Sequence, residues 1–316
     1  MRADEEAPST APRTRPRLWI QILLMAGFYG IYSYTRNLFG SAQVDEGQAP
    51  DHAFTNAMRI IDAERFLHIF HEATIQSWFL GSDLFIRFWN IYYGTFHFVV
   101  TLVAFFWLYV RAPAHFTQWR NVLAFTTGLA IVGFSMFPLM PPRLLDEPTR
   151  YGGQELEQKY DAGPFGFVDT LAEVGGLWSF DSGAVSKISN QYAAMPSLHI
   201  GWSMWCTLAL WPLVRRRWAR FLLVLYPLAT LFCIVVTANH YFLDALGGLV
   251  CLALGYVAGT TLDNWWHERR SGRQGLTTGA VSSVVDQPSP ALPDVGASTG
   301  DGHQHGTHRQ QDRTEQ

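Results

Sequence analysis

The sequence predicts an all-α protein, a six-span transmembrane helical bundle with an amphipathic helix and a long loop on its extracytoplasmic side. Three observations lead to this prediction. Of the 316 residues, 48% are hydrophobic and only 16% are charged, whereas about 25% are charged in typical soluble domains. The apolar residues are clustered in long runs, several of them close to the ~20 residues that a spanning helix needs. Tryptophans lie near the ends of several runs, as in the aromatic belts of membrane proteins.

Six apolar runs are candidate spans, and they lie at residues 18–35, 85–110, 120–138, 198–214, 219–238 and 241–262. They divide the chain into a cytoplasmic N-terminal segment 1–17, a membrane-embedded domain 18–265 and a cytoplasmic tail 266–316. The tail is rich in Gly, Ser, Thr, Gln and Asp and has no apolar periodicity, which predicts disorder.

The distribution of arginine decides the orientation. With the N-terminus inside, thirteen arginines lie in short flanks that face the cytoplasm, whereas eight Lys or Arg residues are spread over longer outer segments. The positive-inside rule therefore predicts a multi-pass cell-membrane protein with both termini in the cytoplasm. The formal net charge of −3 gives no reason to expect nucleic acid as a partner.

Two outer segments stand out between these spans. Residues 57–80 carry apolar side chains at helical spacing opposite charged ones, which fits either a helix lying on the membrane surface or a helix that caps the bundle. Residues 139–196 form a long loop with several Pro and Gly residues. Loops of this length in compact proteins are usually functional or disordered.

Three short polar segments, Pro138–Arg143, Tyr192–His199 and Asn239–Asp244, lie at the outer ends of predicted spans. Polar side chains beside a span are functional candidates, and these three segments converge on one level. In the last segment, His240 and Asp244 are four residues apart at a helix start and share one face. A carboxylate there can hold one imidazole nitrogen and leave the other as a nucleophile. A purely structural pair has the same spacing.

The second segment predicts a phosphate site at the start of a helix. Pro196 suits a first helical turn, where its missing N–H costs nothing. The N–H groups of Ser197 and Leu198 would then point outward at the positive helix end, and the Ser197 hydroxyl adds a donor. His199 lies beside this site and can donate a proton to a leaving oxygen. An ordinary helix start at a membrane boundary is the alternative.

Further polar residues are less specific. Arg143 follows a rigid Pro-Pro pair and can clamp phosphate oxygens through its planar guanidinium, or it can simply extend to lipid headgroups. Tyr93 and His97 share a face of the second span, where a buried hydrogen-bonded pair is favoured over a catalytic role. The three cysteines lie in apolar runs without metal-binding or disulfide spacing.

In their order and setting, the three segments resemble the membrane-bound type 2 phosphatidic acid phosphatase superfamily. That pattern is an Arg-bearing motif, then Pro-Ser-x-His, then His-x-x-x-Asp opening the last span. The wordings Met-Pro-Pro-Arg, Ala-Ala-Met-Pro-Ser-Leu-His and His-Tyr-Phe-Leu-Asp are most similar to the inositol phosphorylceramide synthase-like, or inositolphosphotransferase, branch. The resemblance covers about residues 55–262.

The resemblance implies roles for five of these residues. His240 would be the nucleophile that forms a phosphohistidine, and Asp244 its orienting carboxylate. His199 would protonate the leaving group and later activate the acceptor. Ser197 and Arg143 would bind the substrate phosphate.

The chain also departs from the phosphatases of this superfamily. They place a Lys seven residues before the motif Arg, where this chain has Met136, and an Arg six residues before the last motif His, where it has Ile234. Two cationic phosphate contacts are therefore missing. Lys187 of the long loop is the candidate replacement, with Arg150 and Lys159 as alternatives.

The resemblance implies a membrane phosphatase or phosphotransferase of lipid phosphates or phosphodiesters that uses no metal or other cofactor. Inositolphosphotransferase-like transfer is expected to dominate over hydrolysis. A lipid phosphate or polyprenyl (di)phosphate phosphatase is one alternative, and a zinc enzyme with His199, His240 and Asp244 as ligands is another. An alternative of a different class is a non-catalytic protein that binds or transports anionic lipids. The expected partners are the lipid substrate and the bilayer.

Overall fold

The computed structural model describes residues 51–149, 151–176 and 191–285 together with most residues between 17 and 30, and it describes side chains as far as Arg269. The described residues confirm the all-α prediction, since they include helices and turns but no strand. The helices are α1 (Asp51–Phe66), α2 (Glu72–Ser77), α3 (Asp83–Arg111), α4 (Pro113–Met136), α5 (Gln154–Tyr160), α6 (Thr170–Glu173), α7 (Leu198–Leu210), α8 (Arg217–Val236) and α9 (Phe242–Val285), with short 3-10 helices at Pro142–Leu144 and Trp211–Leu213.

Three helices are long and apolar enough to cross a membrane, namely α3, α8 and the Phe242–Arg269 part of α9. They correspond to the predicted spans 85–110, 219–238 and 241–262. No other helix among the described residues meets both conditions, since α4 carries several polar residues in its first half and α7 has only 13 residues. Of the first predicted span, 18–35, the structure describes about half of the residues, and none beyond Gly30. Six spans therefore remain a prediction.

The outward faces of α3 and α8 are apolar. Large side chains such as Val103 and Phe106 on α3, and Phe221 and Leu222 on α8, are more than half exposed. Exposed apolar surface of this extent marks an interaction site. Together with the length of these helices, it is the surface expected of helices that lipid tails surround.

Helix α9 packs closely against α4 through two glycines. A Cβ at Gly255 would lie 2.4 Å from Oγ1 of Thr126, and a Cβ at Gly259 would lie 2.6 Å from the backbone nitrogen of Val122. Small residues at such contacts let two helix backbones approach, which is the usual way in which helices pack within membranes. Helix α4 is therefore an integral part of the bundle although its own sequence is partly polar.

The predicted amphipathic segment 57–80 is not one continuous helix. Helix α1 ends at Phe66, His68 has a positive φ of 58°, and α2 begins at Glu72. Glu72 belongs to the predicted charged face but is fully buried. The apolar face of α1 is buried against the long loop. The packing therefore favours a cap on the bundle over a helix lying on a membrane surface.

The described part of the long loop 139–196 is a folded layer. Its apolar residues share one core with α1, formed by residues that include Phe54, Ile61, Leu139, Met140, Leu145 and Phe167. The carboxylate of Asp146 accepts hydrogen bonds from the backbone N–H groups of Phe165 and Phe167, at 2.9 and 2.6 Å. This layer covers the end of the bundle at which the three polar segments lie.

Two compact units divide the chain after His267. In the second unit, residues 268–316, the structure describes the helical backbone as far as Val285. Helix therefore extends into the segment for which the sequence predicts disorder, and residues 286–316 lie outside the described residues.

Candidate active site

The three polar segments are joined directly by backbone hydrogen bonds. The N–H of Leu139 donates to the carbonyl of Tyr192 at 2.8 Å, and the N–H of Arg143 donates at 2.7 Å to the carbonyl of Ala238, the residue that precedes the third segment. The N–H of Ser197 donates to the carbonyl of Asp244 at 2.9 Å. Each segment thus contacts the other two, and the candidate residues lie in one site.

His240 lies in the turn between α8 and α9, and its ring is held on one side. Its Nδ1 is 3.3 Å from Oδ2 of Asp244, and both side chains are buried. Because a carboxylate only accepts hydrogen bonds, the proton is on Nδ1 and the lone pair is on Nε2. This Nε2 is buried and has no hydrogen-bond partner among the described residues. The arrangement is that of an oriented nucleophile.

His199, the second residue of α7, lies next to His240. The two rings meet edge to face with their centroids 5.4 Å apart, and His199 stacks on Tyr93 at 4.3 Å. Its Nε2 is 3.3 Å from the carbonyl oxygen of Tyr93. Nε2 therefore carries the proton in the neutral ring, and Nδ1 is the nitrogen left for proton exchange.

His97 packs against the other side of His199, with the ring centroids 4.0 Å apart. Its Nδ1 lies 2.9 Å from the same Tyr93 carbonyl. This is the buried hydrogen-bonded pair that the spacing of Tyr93 and His97 favours. The two residues form the wall that holds the His199 ring.

Ser197 is the N-cap residue of α7, and its hydroxyl is fully buried without a hydrogen-bond partner among the described residues. The sequence predicts a free Ser197 N–H, and this prediction is wrong because that N–H donates to the carbonyl of Asp244. The close approach depends on Gly248, where a Cβ would lie 2.2 Å from the Ser197 carbonyl oxygen. The hydroxyl of Ser197 and the next amides of the first helical turn remain as donors for an anion.

Arg143 is buried, and its guanidinium is held by three protein acceptors. Nε donates to Oδ1 of Asn239 at 3.1 Å, one terminal nitrogen donates to Asp169, and the other donates to Gln191. A guanidinium has five N–H groups, so two remain for a substrate oxygen. The ion pair with Asp169 also neutralises the arginine charge inside the site.

Of the other candidate cations, the structure describes only Lys159. Lys187 and Arg150 lie outside the described residues. Lys159 is exposed, and its Nζ pairs with Asp51 at 2.7 Å. Ile234, which stands where the phosphatases have an arginine, is fully buried in an apolar cluster. Arg143 is therefore the cation that the described segments bring to this site.

Asp169 is a residue of the site that the sequence analysis does not single out. It is the N-cap of the short helix α6, where its carboxylate also accepts the N–H groups of Leu171 and Ala172. Gln76 and Asn90 hold the surrounding segment through hydrogen bonds to the backbone of Val168, Thr170 and Gly175. The capping pattern is visible in the sequence, but the contact with Arg143 spans 26 residues and has no local signal.

The zinc alternative finds no support in this geometry. Among the described residues, no three His, Cys, Asp or Glu side chains are placed to hold one metal ion. Nδ1 of His240 and Oδ2 of Asp244 face each other instead of a common point.

A family model described as "PAP2 superfamily" matches residues 58–258, which include all three polar segments. The chain belongs to the PAP2 superfamily. Within it, the chain is similar to the inositol phosphorylceramide synthase catalytic subunit aur1 of Schizosaccharomyces pombe, with 28% identity over 165 residues. This alignment covers 51% of the chain but only 37% of the relative. No solved structure matches the chain.

The family match confirms the superfamily resemblance drawn from the three segments. The similarity to a synthase subunit agrees with the resemblance of their wording to the inositol phosphorylceramide synthase-like branch. The family match also covers α2, α3 and the loop layer that hold Asp169 and Arg143 in place.

Proposed function

We propose that this PAP2 protein is a lipid phosphotransferase that works through a phosphohistidine formed on Nε2 of His240. The observation that carries the proposal is the state of the His240 ring, with Nδ1 held by Asp244 and Nε2 buried and unpartnered. The substrate is a lipid phosphodiester or phosphate whose apolar tail stays in the bilayer. No metal or other cofactor takes part.

In the first half-reaction, Nε2 attacks phosphorus and forms the N–P bond while the P–O bond to the leaving group breaks. The leaving oxygen takes a proton from the protonated ring of His199, through the Nδ1 that the Tyr93 carbonyl leaves available. Asp244 stabilises the positive charge that develops on the His240 ring. Arg143 and the Ser197 hydroxyl donate hydrogen bonds to the phosphoryl oxygens.

In the second half-reaction, neutral His199 removes a proton from the acceptor hydroxyl, whose oxygen forms a new O–P bond as the N–P bond breaks. Water at ~55 M competes with any alcohol unless the site is dry and holds the acceptor in place, where effective molarities can reach 10⁵ M or more. Tyr192 and Tyr241 are buried beside the site, with Met195, Leu198 and Phe242 partly buried. The loop layer above them can sequester the acceptor.

The charge balance of the site favours a phosphodiester over a phosphomonoester. Arg143 is already paired with Asp169, and Asp244 lies behind the nucleophile. A dianionic monoester needs more positive charge than this arrangement offers, whereas a monoanionic diester needs less. We therefore propose inositolphosphotransferase-like transfer as the main reaction and hydrolysis as a slower side reaction.

We also propose a membrane topology for the chain. With six spans and both termini in the cytoplasm, the three polar segments and the loop layer face the extracytoplasmic side of the cell membrane. The support is the arginine distribution along the sequence.

Product analysis tests the reaction directly. Purified protein is incubated with a headgroup-labelled phosphatidylinositol-type donor and a lipid or polyol acceptor, and the products are identified by mass spectrometry. A new phosphodiester carrying the label is the expected product. If inorganic phosphate from a lipid monophosphate is the only product with every acceptor, the protein is a lipid phosphate phosphatase instead.

The same experiment separates an enzyme from a lipid-binding protein. The variant His240→Ala should lose all turnover and keep the binding of anionic lipid vesicles. A wild-type protein that binds such vesicles but turns over no lipid phosphate would be the binding or transport protein of the alternative hypothesis.

A further inference from the structure

The catalytic turn that carries His240 is capped by three carboxyl groups. The N–H of Tyr241 donates to Oδ2 of Asp244 at 3.0 Å, the N–H of Phe242 to Oε1 of Glu72 at 3.0 Å, and the N–H of Leu243 to Oε1 of Glu64 at 2.7 Å. The first amides of a helix have no partner within it and are usually capped by a neighbouring residue. Here two of the three caps come from α1 and α2, at the other end of the membrane domain's sequence.

Glu64 and Glu72 form a buried pair of carboxyl groups next to this turn. Both side chains are fully buried, and they cap the adjacent amides of Phe242 and Leu243. The second oxygen of each, Oε2, is buried and has no hydrogen-bond partner among the described residues. Two ionised carboxylates in one buried site repel each other strongly, so one of the two carries a proton.

We propose that Glu64 and Glu72 are positioning residues of the reaction, a carboxyl pair that shares one proton and fixes the backbone of residues 241–243. This fixes the adjacent His240 ring with its Nε2 facing the substrate phosphorus. The inference rests on the proposed role of His240 as nucleophile. It adds two residues to the site that do not touch the substrate, and it gives α1 and α2 a function in the reaction.

The charges around the pair explain why one proton is retained. Burial first, and then the Glu72 carboxyl, raise the pKa of Glu64 to about 9, against the opposing effect of the Leu243 N–H. Asp244 of α9 also faces the pair. The phenol of Tyr241 donates to the Met140 carbonyl at 3.1 Å. With one proton the pair carries a single negative charge, and without it two.

Truncation at Glu64 tests the positioning role. In Glu64→Ala the Leu243 N–H loses its acceptor, and we expect kcat to fall on the order of 10- to 100-fold, as for one lost hydrogen bond to a charged group. KM should change little, because Glu64 does not contact substrate. The matched control is Asp62→Ala, which removes an exposed carboxylate from the same helix and should leave kcat unchanged.

The conservative variant separates a shared proton from simple packing. In Glu64→Gln the amide oxygen can accept from Leu243, and the amide N–H can donate to the Glu72 carboxylate in place of the proton. Turnover at neutral pH should therefore recover most of what Glu64→Ala loses. Wild-type kcat should decline as pH rises through about 9, when the shared proton leaves, and this decline should be absent in Glu64→Gln.

A stability measurement tests whether Glu64 and Glu72 share a proton, and it needs no enzyme turnover. A carboxyl whose pKa is raised on folding stabilises the protein below its unfolded pKa, and the contribution is lost progressively as pH rises to the folded pKa. The melting temperature of wild type should thus lose this contribution between about pH 4.5 and 9, and Glu64→Gln should not. Failure of the proposed reaction would leave this result intact. An unchanged pH dependence of melting in Glu64→Gln, or wild-type kcat in folded Glu64→Ala, would overturn the inference.

Discussion

Replacing Asp244 by asparagine removes the charge of the proposed orienting carboxylate and changes the shape of the side chain very little. Oδ2 of Asp244 accepts from both Nδ1 of His240, at 3.3 Å, and the N–H of Tyr241, at 3.0 Å. Asparagine has only one carbonyl oxygen. If that oxygen takes the place of Oδ2, both hydrogen bonds persist without the charge; if the amide nitrogen takes it, Nδ1 of His240 faces a donor and the proton moves to Nε2.

The magnitude follows from these two outcomes. Two hydrogen bonds that change from charged to neutral lose about 1 kcal/mol each, and the imidazolium that forms during attack loses its counter-charge. Inversion of the tautomer blocks the nucleophile, and the analogous change in the Ser-His-Asp triad costs about 10⁴-fold in kcat. We expect Asp244→Asn to lower kcat about 10³- to 10⁴-fold, or roughly 4–5.5 kcal/mol, with KM nearly unchanged.

Steady-state turnover of a labelled phosphatidylinositol-type donor in detergent or vesicles measures this loss. Asp83→Asn, which changes an exposed carboxylate at the start of α3, serves as the control. A folded Asp244→Asn protein that keeps more than about a tenth of wild-type kcat would refute the orientation of His240 by a charged partner.

Four further predictions follow from the site. Arg143→Lys keeps the charge but loses the guanidinium fork, so kcat/KM should fall on the order of 10- to 100-fold in the same assay. Asp169→Asn leaves the buried guanidinium without its counter-charge, and the free energy of unfolding in denaturant should fall by about 3 kcal/mol; an unchanged value would contradict the ion pair. EDTA should leave turnover intact, and loss of activity that zinc restores would instead support a metal site. An impermeant thiol reagent applied to intact cells should label a cysteine introduced near Gly153 and spare one near Arg216, and the reverse pattern would place the site inside the cell.

The contact between His240 and Asp244 could be predicted from the sequence, because the two residues are only four apart at the start of α9. The Pro-Ser-x-His and Met-Pro-Pro-Arg segments can likewise be recognised in the sequence as short motifs. The state of the Ser197 N–H could not be predicted. Its acceptor is the Asp244 carbonyl, 47 residues away, and the close approach depends on Gly248, whose role is visible only once the two helices pack.

The buried pair of Glu64 and Glu72 could not be predicted from the sequence for a different reason. Helical periodicity places Glu72 with the charged residues of segment 57–80 and so predicts an exposed face. The chain instead turns between Phe66 and Glu72, and this turn brings both carboxyl groups under the start of α9. Periodicity describes one continuous helix, and it cannot show a break that tertiary hydrogen bonds stabilise.

Hydropathy alone does not explain the place of every helix in the bundle. Helix α4 begins with polar residues such as His115, Arg120 and Asn121, yet it packs closely against α9 through Gly255 and Gly259. Its place in the bundle is decided by these small-residue contacts, which hydropathy does not record.

Trapping a covalent phosphoryl group on His240 is the most direct test of the proposed mechanism. The protein is mixed with a lipid donor labelled with ³²P in the group that is transferred, quenched in alkali within one turnover, and digested for peptide mass spectrometry. We expect an alkali-stable, acid-labile phosphoramidate on the peptide that contains His240, increased in His199→Ala if the second half-reaction slows more than the first, and absent in His240→Ala. Turnover by the wild-type protein without any label on His240, or label that persists in His240→Ala, would contradict it.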